Sequence, residues 1–281
     1  MDDPAGRRTL TAGSGLQVPD GLDATLVLVR HGESTFIAEG RFQGQADSPL
    51  TETGLRQADL VARRLARPHV PPALHIPTGD PLELVHSPLT RTTQTAEAIE
   101  RAVADAGGQV ARRPYPGFLE IDQGAWQGLH RDEISSRNGP ELSTWRRTPL
   151  QGWAPGGESL PEVQARVVPA LTAVLAKLGE GRAPGTHDRS QVAGYWDVRP
   201  DHPWSVVVGH DGVFKVVLLT LFDLPLERFW MWSMDLCGIA IVELRAGRPV
   251  MRAHNLTDHL ADLADEDALV AVDERSRSGA L

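Results

Sequence analysis

Short and long hydrophobic segments alternate along the chain. Short, almost wholly apolar segments occupy residues 25–29, 82–85, 204–209 and 239–244, while apolar residues recur at helical spacing over 53–67, 91–106, 162–178 and 213–222. A continuous apolar strand is typical of a mostly parallel sheet that is covered on both faces. The pattern therefore predicts an α/β protein, a three-layer α/β/α sandwich with a mostly parallel central sheet.

Polar segments with little apolar periodicity surround and interrupt this pattern. Residues 1–21 and 262–281 are of this kind, so we expect disordered extensions on either side of a single domain over residues 22–261. Residues 179–203 separate a predicted helix from a predicted strand. We interpret them as a surface insertion, and favour a tolerated loop over a lid.

Charge and composition exclude several classes of protein. The 281 residues contain 28 Lys and Arg against 37 Asp and Glu, a net charge of −9 that disfavours binding to nucleic acid or to an anionic membrane. No apolar run reaches the roughly 18 to 20 residues that a membrane span needs. Nothing after Met1 resembles a secretory signal, and Cys237, the single cysteine, predicts an inert core thiol. We expect a cytoplasmic protein.

Residues suited to phosphate chemistry follow three of the predicted strands. Arg30 and His31 end the first, residues 86–91 follow the second and include Arg91, and His210 with Asp211 follows the third. Ligands of open α/β sheets bind beyond the carboxyl ends of the strands. If the sheet brings these ends together, two histidines and two arginines converge on a space the size of a phosphate.

These side chains have complementary roles in phosphoryl transfer. Guanidinium groups bind phosphate oxygens in bidentate fashion, and a neutral imidazole is a competent nucleophile at phosphorus. Nearby arginines would lower the pKa of His31 and keep it neutral. A proton donor for the leaving oxygen is also needed. Glu120 is the best candidate because apolar neighbours could raise its pKa, and Asp122 is the competitor.

Several motifs, in order, resemble those of the histidine phosphatase superfamily, also called phosphoglycerate mutase-like. The resemblance covers roughly residues 24–245. The segments that carry it are LVRHGES at 28–34, RFQGQADSPLT at 41–51 with Gly54, SPLTRTTQTA at 87–96, LEIDQGAWQG at 119–128, PGGES at 155–159 and VGH at 208–210. One Arg-His-Gly tripeptide would be weak evidence, but the whole series in order is specific.

This resemblance implies phosphotransfer without a metal or other cofactor. It implies that His31 accepts the phosphoryl group, that Arg30, Arg91 and His210 bind and stabilise it, and that Glu120 protonates the leaving group and then activates water. Other candidate substrate-binding residues are Gln43, Gly44 and Asp211. Glu33 and Ser34 are expected to shape the turn that follows the nucleophile.

Two positions depart from the pattern of the family. Ile37 stands where members commonly have Asn, so one polar phosphate contact is missing, and Asp211 stands where a glycine or another small residue commonly follows the second histidine. A carboxylate that faces phosphate is unfavourable. We expect Asp211 to begin the next helix and to point away. Neither change removes a catalytic group, so we expect activity to persist.

The leading functional hypothesis is a phosphoric monoester hydrolase that acts on a small phosphorylated metabolite. A cofactor-dependent phosphoglycerate mutase is the alternative, although such mutases typically read Glu-Arg-His-Tyr-Gly where this chain has EIDQG at 120–124. A third hypothesis is a catalytically idle module that binds a phosphorylated ligand or a protein, favoured if Ile37 and Asp211 disable the site.

The remaining histidines and aromatic residues suggest no further chemistry. The histidines outside the motifs lack the paired spacing of metal ligands, so we expect no metal site; they include His69, His75, His187, His202, His254 and His259. The aromatic cluster at 229–234 favours core or interface packing over a pocket wall. It leaves a homodimer open.

Overall fold

A computed structural model describes residues 7–9, 15–181 and 202–263. A two-stranded ribbon joins β1 (Arg7–Thr9) to β2 (Gln17–Pro19). A six-stranded sheet contains β3 (Ala24–Arg30), β4 (Leu84–His86), β5 (Arg112–Pro114), β6 (Trp204–Gly209), β7 (Ile239–Arg245) and β8 (Arg248–Leu256). Its spatial order is β5-β4-β6-β3-β7-β8.

The sheet is mixed, with its parallel part where the predicted site lies. Strands β5, β4, β6 and β3 are paired in parallel, whereas β7 is antiparallel to β3 and β8 is antiparallel to β7. Every residue of β3 and β6 is buried, as expected for strands covered on both faces. The edge strands β5 and β8 were not predicted because their residues are polar or only partly buried.

Helices cover both faces of the sheet, which confirms the predicted α/β/α layering. The helices are α1 (Thr35–Ala38), α2 (Glu52–Ala66), α3 (Thr90–Asp105), α4 (Arg131–Arg147), α5 (Leu160–Glu180) and α6 (Asp211–Leu221). Helices α2 and α3 contribute to one hydrophobic cluster, and α5 and α6 contribute to another. The sheet therefore lies between two cores.

Helix α4 is the largest element that the sequence pattern did not predict. It contains Pro140 and a non-helical Asn138, and it buries only Ile134, Leu142 and Trp145. A polar helix with an internal proline has no clear apolar period. Its start is fixed by a capping box, in which His130 N–H donates to the Glu133 carboxylate at 2.9 Å.

Residues 7–9 and 15–21, which belong to the extension expected to be disordered over residues 1–21, are among the described residues. Leu16 and Val18 are fully buried in the cluster that contains α5, and residues 17–19 pair with 7–9. Leu16 lies just before β2 and Val18 lies within it, and two buried side chains are too few to give a periodic signal. Residues 1–6, 10–14, 182–201 and 264–281 lie outside the described residues, as does most of the expected insertion and C-terminal tail.

Among the described residues, no helix combines the length and the apolar character needed to cross a membrane.

Candidate active site

Neighbouring strands of the parallel part of the sheet bring the three predicted strand ends together. Strand β6 lies between β3 and β4, so Arg30, Gly209 and His86 end at the same edge. Backbone hydrogen bonds continue just past the strands: His31 N–H donates to Gly209 O and Ser87 N–H donates to Val208 O, both at 3.0 Å. The side chains that follow these strands therefore share one pocket edge.

His31 is presented as a neutral imidazole. Its Nδ1 lies 2.7 Å from Gly32 O, and because a carbonyl only accepts, Nδ1 carries the proton. Nε2 keeps its lone pair, and the one ring hydrogen bond of His31 within the described part of the chain is that of Nδ1. Burial, followed by the charges of Arg91 and Arg30, holds the pKa of His31 well below its usual 6.5. His31 therefore has a free lone pair on Nε2 without the help of a base.

His210 lies beside His31, with ring centroids 5.1 Å apart. Its Nδ1 accepts from Arg91 Nε at 3.3 Å, so the proton is on Nε2, which donates to Ser87 Oγ at 2.8 Å. Burial and the charge of Arg91 lower the pKa of His210 well below its usual value. The Nε2–H is thus the single ring donor of His210, and Ser87 Oγ accepts it.

Arg91 is held on three sides by protein groups. Besides the bond to His210, Nη1 donates to Ala46 O at 3.0 Å and Nη2 donates to Gly44 O at 2.6 Å. Burial lowers the pKa of Arg91 to about 10, so the guanidinium stays charged near neutral pH. Arg91 lies in the first turn of α3, and Asp47 caps this helix by accepting from Thr90 N and Oγ1, at 2.8 and 2.5 Å. These bonds therefore fix the position of the Arg91 guanidinium.

Arg30 is held by fewer bonds. Nη1 donates to Met234 O at 2.5 Å, whereas the buried Nε has no hydrogen-bond partner in the described residues. A buried donor without an acceptor costs about 1 to 3 kcal/mol, and such groups are rare in folded proteins. The Nη2 group of Arg30 donates to no described residue and is not enclosed, so it is the donor that Arg30 keeps free.

Glu120 is buried at the N-terminus of α6. Its Oε1 accepts from Ile121 N and Val213 N, each at 2.9 Å, and Oε2 accepts from Gly212 N at 3.2 Å. Burial raises the pKa of Glu120 above its usual 4.5, which outweighs the opposing effects of the Ile121 and Gly212 N–H groups and of Arg91. A Cβ on Gly212 would lie 2.6 Å from Oε1, so a larger residue there would displace this carboxyl group.

An ion pair not identified from the sequence fixes the backbone of Glu120. Arg166 donates from Nη1 to Gly117 O and Leu119 O, at 3.1 and 2.8 Å, and from Nη2 to Glu120 O at 2.9 Å. Its Nε donates to Glu158 Oε1 at 2.7 Å. Glu158 belongs to the PGGES segment, so its importance was signalled by the motif, but no sequence spacing indicated Arg166 as its partner.

Asp122, the competing proton donor, faces its own turn. Its Oδ1 accepts from Gly124 N at 2.8 Å, and the side chain is only partly buried. Its backbone N–H donates to Glu158 Oε2 at 2.9 Å, and Gln45 Nε2 donates to the same oxygen at 3.2 Å. Of the two candidate proton donors, Glu120 is therefore the buried one and Asp122 the partly exposed one.

Gln43 and Gly44 build the loop that holds Arg91. Gln43 Oε1 accepts from Ser34 Oγ at 2.5 Å and from Ser48 Oγ at 3.0 Å. Gly44 has φ +53°, and a Cβ there would lie 2.6 Å from Gln123 N. Both residues contribute to the pocket through this loop, in which Gly44 O accepts from Arg91 Nη2.

Ile37 and Asp211, the two departures from the family pattern, are both buried. Ile37 lies in α1 and adds no polar side-chain group. Asp211 begins α6, as expected, and its two oxygens already have partners: Oδ2 lies 2.6 Å from Lys215 Nζ, and Oδ1 accepts from Met234 N at 2.8 Å. Burial raises the pKa of Asp211, but Lys215 and Arg30 more than offset this effect and leave it lowered.

The aromatic cluster at 229–234 divides between core and surface. Phe229 is fully buried and packs against Trp145 with ring centroids 5.3 Å apart, whereas Trp230 and Met231 are 37% and 50% exposed. Cys237 is fully buried, and burial raises the pKa of its thiol. Within residues 7–9, 15–181 and 202–263, no group of three or more His, Cys, Asp or Glu side chains could hold a metal ion.

Comparisons with known proteins agree with this arrangement. A family model described as histidine phosphatase superfamily (branch 1) matches residues 26–257. Phosphoserine phosphatase 1 of Hydrogenobacter thermophilus is 29% identical over 238 residues, which cover 84% of this chain and 94% of that protein. A probable phosphoglycerate mutase of Yersinia pestis is 30% identical over 254 residues, which cover 89% of this chain and 98% of the mutase.

Solved structures share the fold. A mycobacterial glucosyl-3-phosphoglycerate phosphatase complexed with VO3 superposes with a TM-score of 0.64 at 26% identity, covering 83% of this chain and 100% of that one. A Bacillus stearothermophilus protein named YhfR gives a TM-score of 0.66 at 24% identity, covering 84% and 99%. The six-stranded sheet and its flanking helices are thus those of the phosphoglycerate mutase-like fold.

Proposed function

Because the chain belongs to the histidine phosphatase superfamily, we propose that it is a metal-independent phosphomonoesterase that hydrolyses a small phosphorylated metabolite through a phosphohistidine. The phosphatases named among its relatives support a phosphoric monoester hydrolase. The observation that carries the proposal is a neutral, buried His31 whose free Nε2 lies within the field of two buried arginines.

The charges of the pocket match a phosphate dianion. Arg30 and Arg91 carry two positive charges, His31 and His210 are neutral, and the carboxylate of Asp211 is paired with Lys215. A protonated Glu120, favoured by its raised pKa, adds no charge. Two unneutralised guanidinium groups in a buried site stabilise the charge on the transferring oxygens, so the reaction needs no metal ion.

In the first step, His31 Nε2 attacks the phosphorus atom. The bond from phosphorus to the ester oxygen breaks as the bond to nitrogen forms, and the proton of Glu120 passes to the leaving oxygen to give an alcohol. Arg30 binds the transferring oxygens through Nη2, which donates to no described residue, and His210 contributes its Nε2–H. Arg91 supplies charge from its fixed position.

In the second step, water replaces His31 at phosphorus. Glu120, now a carboxylate, takes a proton from the attacking water, the bond between phosphorus and nitrogen breaks, and inorganic phosphate leaves. His31 returns to its neutral form and Glu120 to its protonated form. The residues of the site supply every group that the cycle needs, and water is the second substrate.

The names of the relatives indicate which substrates to test first. The named phosphatases act on phosphoserine or on glucosyl-3-phosphoglycerate, both small phosphate esters that also carry a carboxylate. Phosphoglycerate mutase remains a second candidate function because a relative 30% identical over 89% of this chain carries that name. The two reactions share the nucleophile and differ in the acceptor of the phosphoryl group.

The proposal is tested by phosphate release from phosphoserine, phosphoglycerates, sugar phosphates, nucleotides and p-nitrophenyl phosphate, in EDTA. Wild-type protein is expected to turn over at least one natural ester and the activated ester, and His31→Ala is expected to lose essentially all turnover. A matched control is His75→Ala, a change in a histidine outside the site that should leave the rate unchanged. Turnover that persisted in His31→Ala would overturn the proposal.

Two other results would redirect the assignment. Interconversion of 2- and 3-phosphoglycerate that requires a bisphosphorylated primer, without net phosphate release, would establish the mutase. Phosphate binding with no turnover of any ester would support an idle binding module.

A further inference from the structure

A buried ion pair lies directly behind the phosphate site. Asp211 follows His210 in the chain, and Lys215 lies one helical turn later on the buried α6. Both side chains are more than nine-tenths buried, and Nζ lies 2.6 Å from Oδ2. Lys215 Nζ also lies 4.9 Å from the ring centroid of Trp230 and 5.2 Å from that of Phe229, within cation–π range.

The pair is connected to Arg30 through one backbone residue. Asp211 Oδ1 accepts from Met234 N at 2.8 Å, and Met234 O accepts from Arg30 Nη1 at 2.5 Å. No other described residue accepts a hydrogen bond from the Arg30 guanidinium. Its orientation therefore depends on where Asp211 holds Met234.

Without its lysine, the same carboxylate would oppose phosphate binding. Asp211 lies between His210 and Gly212, and the Gly212 N–H binds Glu120, so its charge lies close to the reacting groups. Arg30 and Arg91 give the pocket a charge of +2, and an unpaired Asp211 would halve it. Charges in a buried site are poorly screened.

We propose that Asp211 and Lys215 act together as positioning residues, with Asp211 orienting Arg30 through Met234 and Lys215 cancelling the charge that this contact introduces. The inference rests on the proposed function, since it assigns Arg30 to the phosphate. It also explains how an acidic residue is tolerated immediately after the second histidine. The side chain does not touch substrate; it acts through Arg30.

The proposal predicts opposite effects of single and double charge changes. Lys215→Met leaves an unpaired carboxylate and should weaken vanadate binding by about tenfold or more. Asp211→Asn with Lys215→Met removes both charges, keeps an amide oxygen for Met234 N, and should restore binding to within a few-fold of wild type. Asp211→Ala with Lys215→Met is equally uncharged but lacks that acceptor, and should bind vanadate less tightly than the Asn double variant.

The experiment is calorimetric titration of each full-length variant with vanadate, with kcat and KM for p-nitrophenyl phosphate measured in parallel. The changes are expected in vanadate affinity and in KM more than in kcat. A purely structural role would lower the melting temperature without this order of affinities. Equal affinity of Lys215→Met and wild type, or of the two double variants, would overturn the proposal.

The design separates this inference from the proposed function. Vanadate binding is measured without turnover. If the vanadate affinities of the wild type and the variants follow the predicted order but the wild type hydrolyses no ester, only the proposed function is overturned. If Lys215→Met does not fold, the comparison of the two double variants still decides, because both lack the unpaired charge.

Discussion

The two arginines of the site are held in different ways. Arg91 donates to His210 and to two carbonyls of the 44–46 loop, and so has protein partners on three sides. Arg30 donates to Met234 O alone among the described residues and buries an Nε that has no partner. One guanidinium is part of the pocket wall, and the other has donors left for a ligand.

The difference indicates how the pocket combines rigidity with affinity. Fixed donors need no reorganisation during the reaction, which favours stabilisation of developing charge by Arg91. A donor that no protein group accepts from, as Arg30 Nη2 is in the described residues, is available to a bound anion, which favours affinity from Arg30. We therefore expect Arg91 to contribute to the stability of the folded protein and Arg30 to contribute to ligand affinity.

Replacement of each arginine by alanine is expected to give the largest effects and to separate the contribution to stability from the contribution to ligand binding. Both Arg30→Ala and Arg91→Ala should lower kcat/KM by about a hundredfold to a thousandfold, because each removes a charged donor from a buried site. Only Arg91→Ala should also lower the free energy of unfolding substantially, since it leaves Gly44 O, Ala46 O and His210 unpaired. Steady-state kinetics and urea denaturation measure the two effects. Equal losses of stability would contradict the distinction.

The pH dependence of the activity follows from the shifted pKa values of His31 and Glu120. The pKa of His31 is lowered, so on the acid side activity should persist well below pH 6.5 and fall only when the imidazole becomes protonated. The pKa of Glu120 is raised, so with an alkyl phosphate activity should fall as pH rises through that value and the acid loses its proton.

Glu120→Gln tests the basic limb of this profile. It should slow hydrolysis of an alkyl phosphate by about a hundredfold or more and remove the alkaline limb of the pH profile. Hydrolysis of p-nitrophenyl phosphate, whose leaving group needs little protonation, should be slowed much less. Asp122→Asn is the matched control and should retain the limb. Equal loss on both esters would move the proton-donor role away from Glu120.

Gly212→Ala should give a smaller effect at the same carboxyl. The added methyl would lie 2.6 Å from Glu120 Oε1, so the acid must shift from its three N–H donors. We expect about a tenfold loss of kcat with alkyl phosphates and a smaller loss with p-nitrophenyl phosphate. Gly139→Ala, where the new methyl meets no atom within 4 Å, is the control. Identical kinetics in Gly212→Ala and wild type would contradict the close packing of Glu120.

The sequence predicted the parallel part of the sheet and the residues at its edge for one physical reason. Buried strands such as β3 and β6 are nearly all apolar, so Arg30 and His210 stand out immediately where the strands end. Parallel strands share a carboxyl edge, which places these residues together. Their catalytic roles remain a proposal.

What the sequence did not predict depends on tertiary contacts. Ser87 binds His210 across 123 positions, and Arg166 donates to the carbonyls of Gly117, Leu119 and Glu120, contacts that no local spacing indicates. Lys215 could be placed on an apolar helix, but its pairing with Asp211 and its position over two aromatic rings needed the fold. Burial of Leu16 likewise follows from packing against α5 rather than from periodicity.

The most direct test of the account is to trap the covalent intermediate. Wild-type protein mixed with 32P-labelled substrate, or with labelled phosphoserine if no better ester is found, is denatured in base within milliseconds, because phosphohistidine survives base and is lost in acid. The account predicts one label per chain on the peptide that contains His31, and none in His31→Ala. Label on another residue, or turnover in the wild type with no labelled protein, would contradict a phosphohistidine at His31.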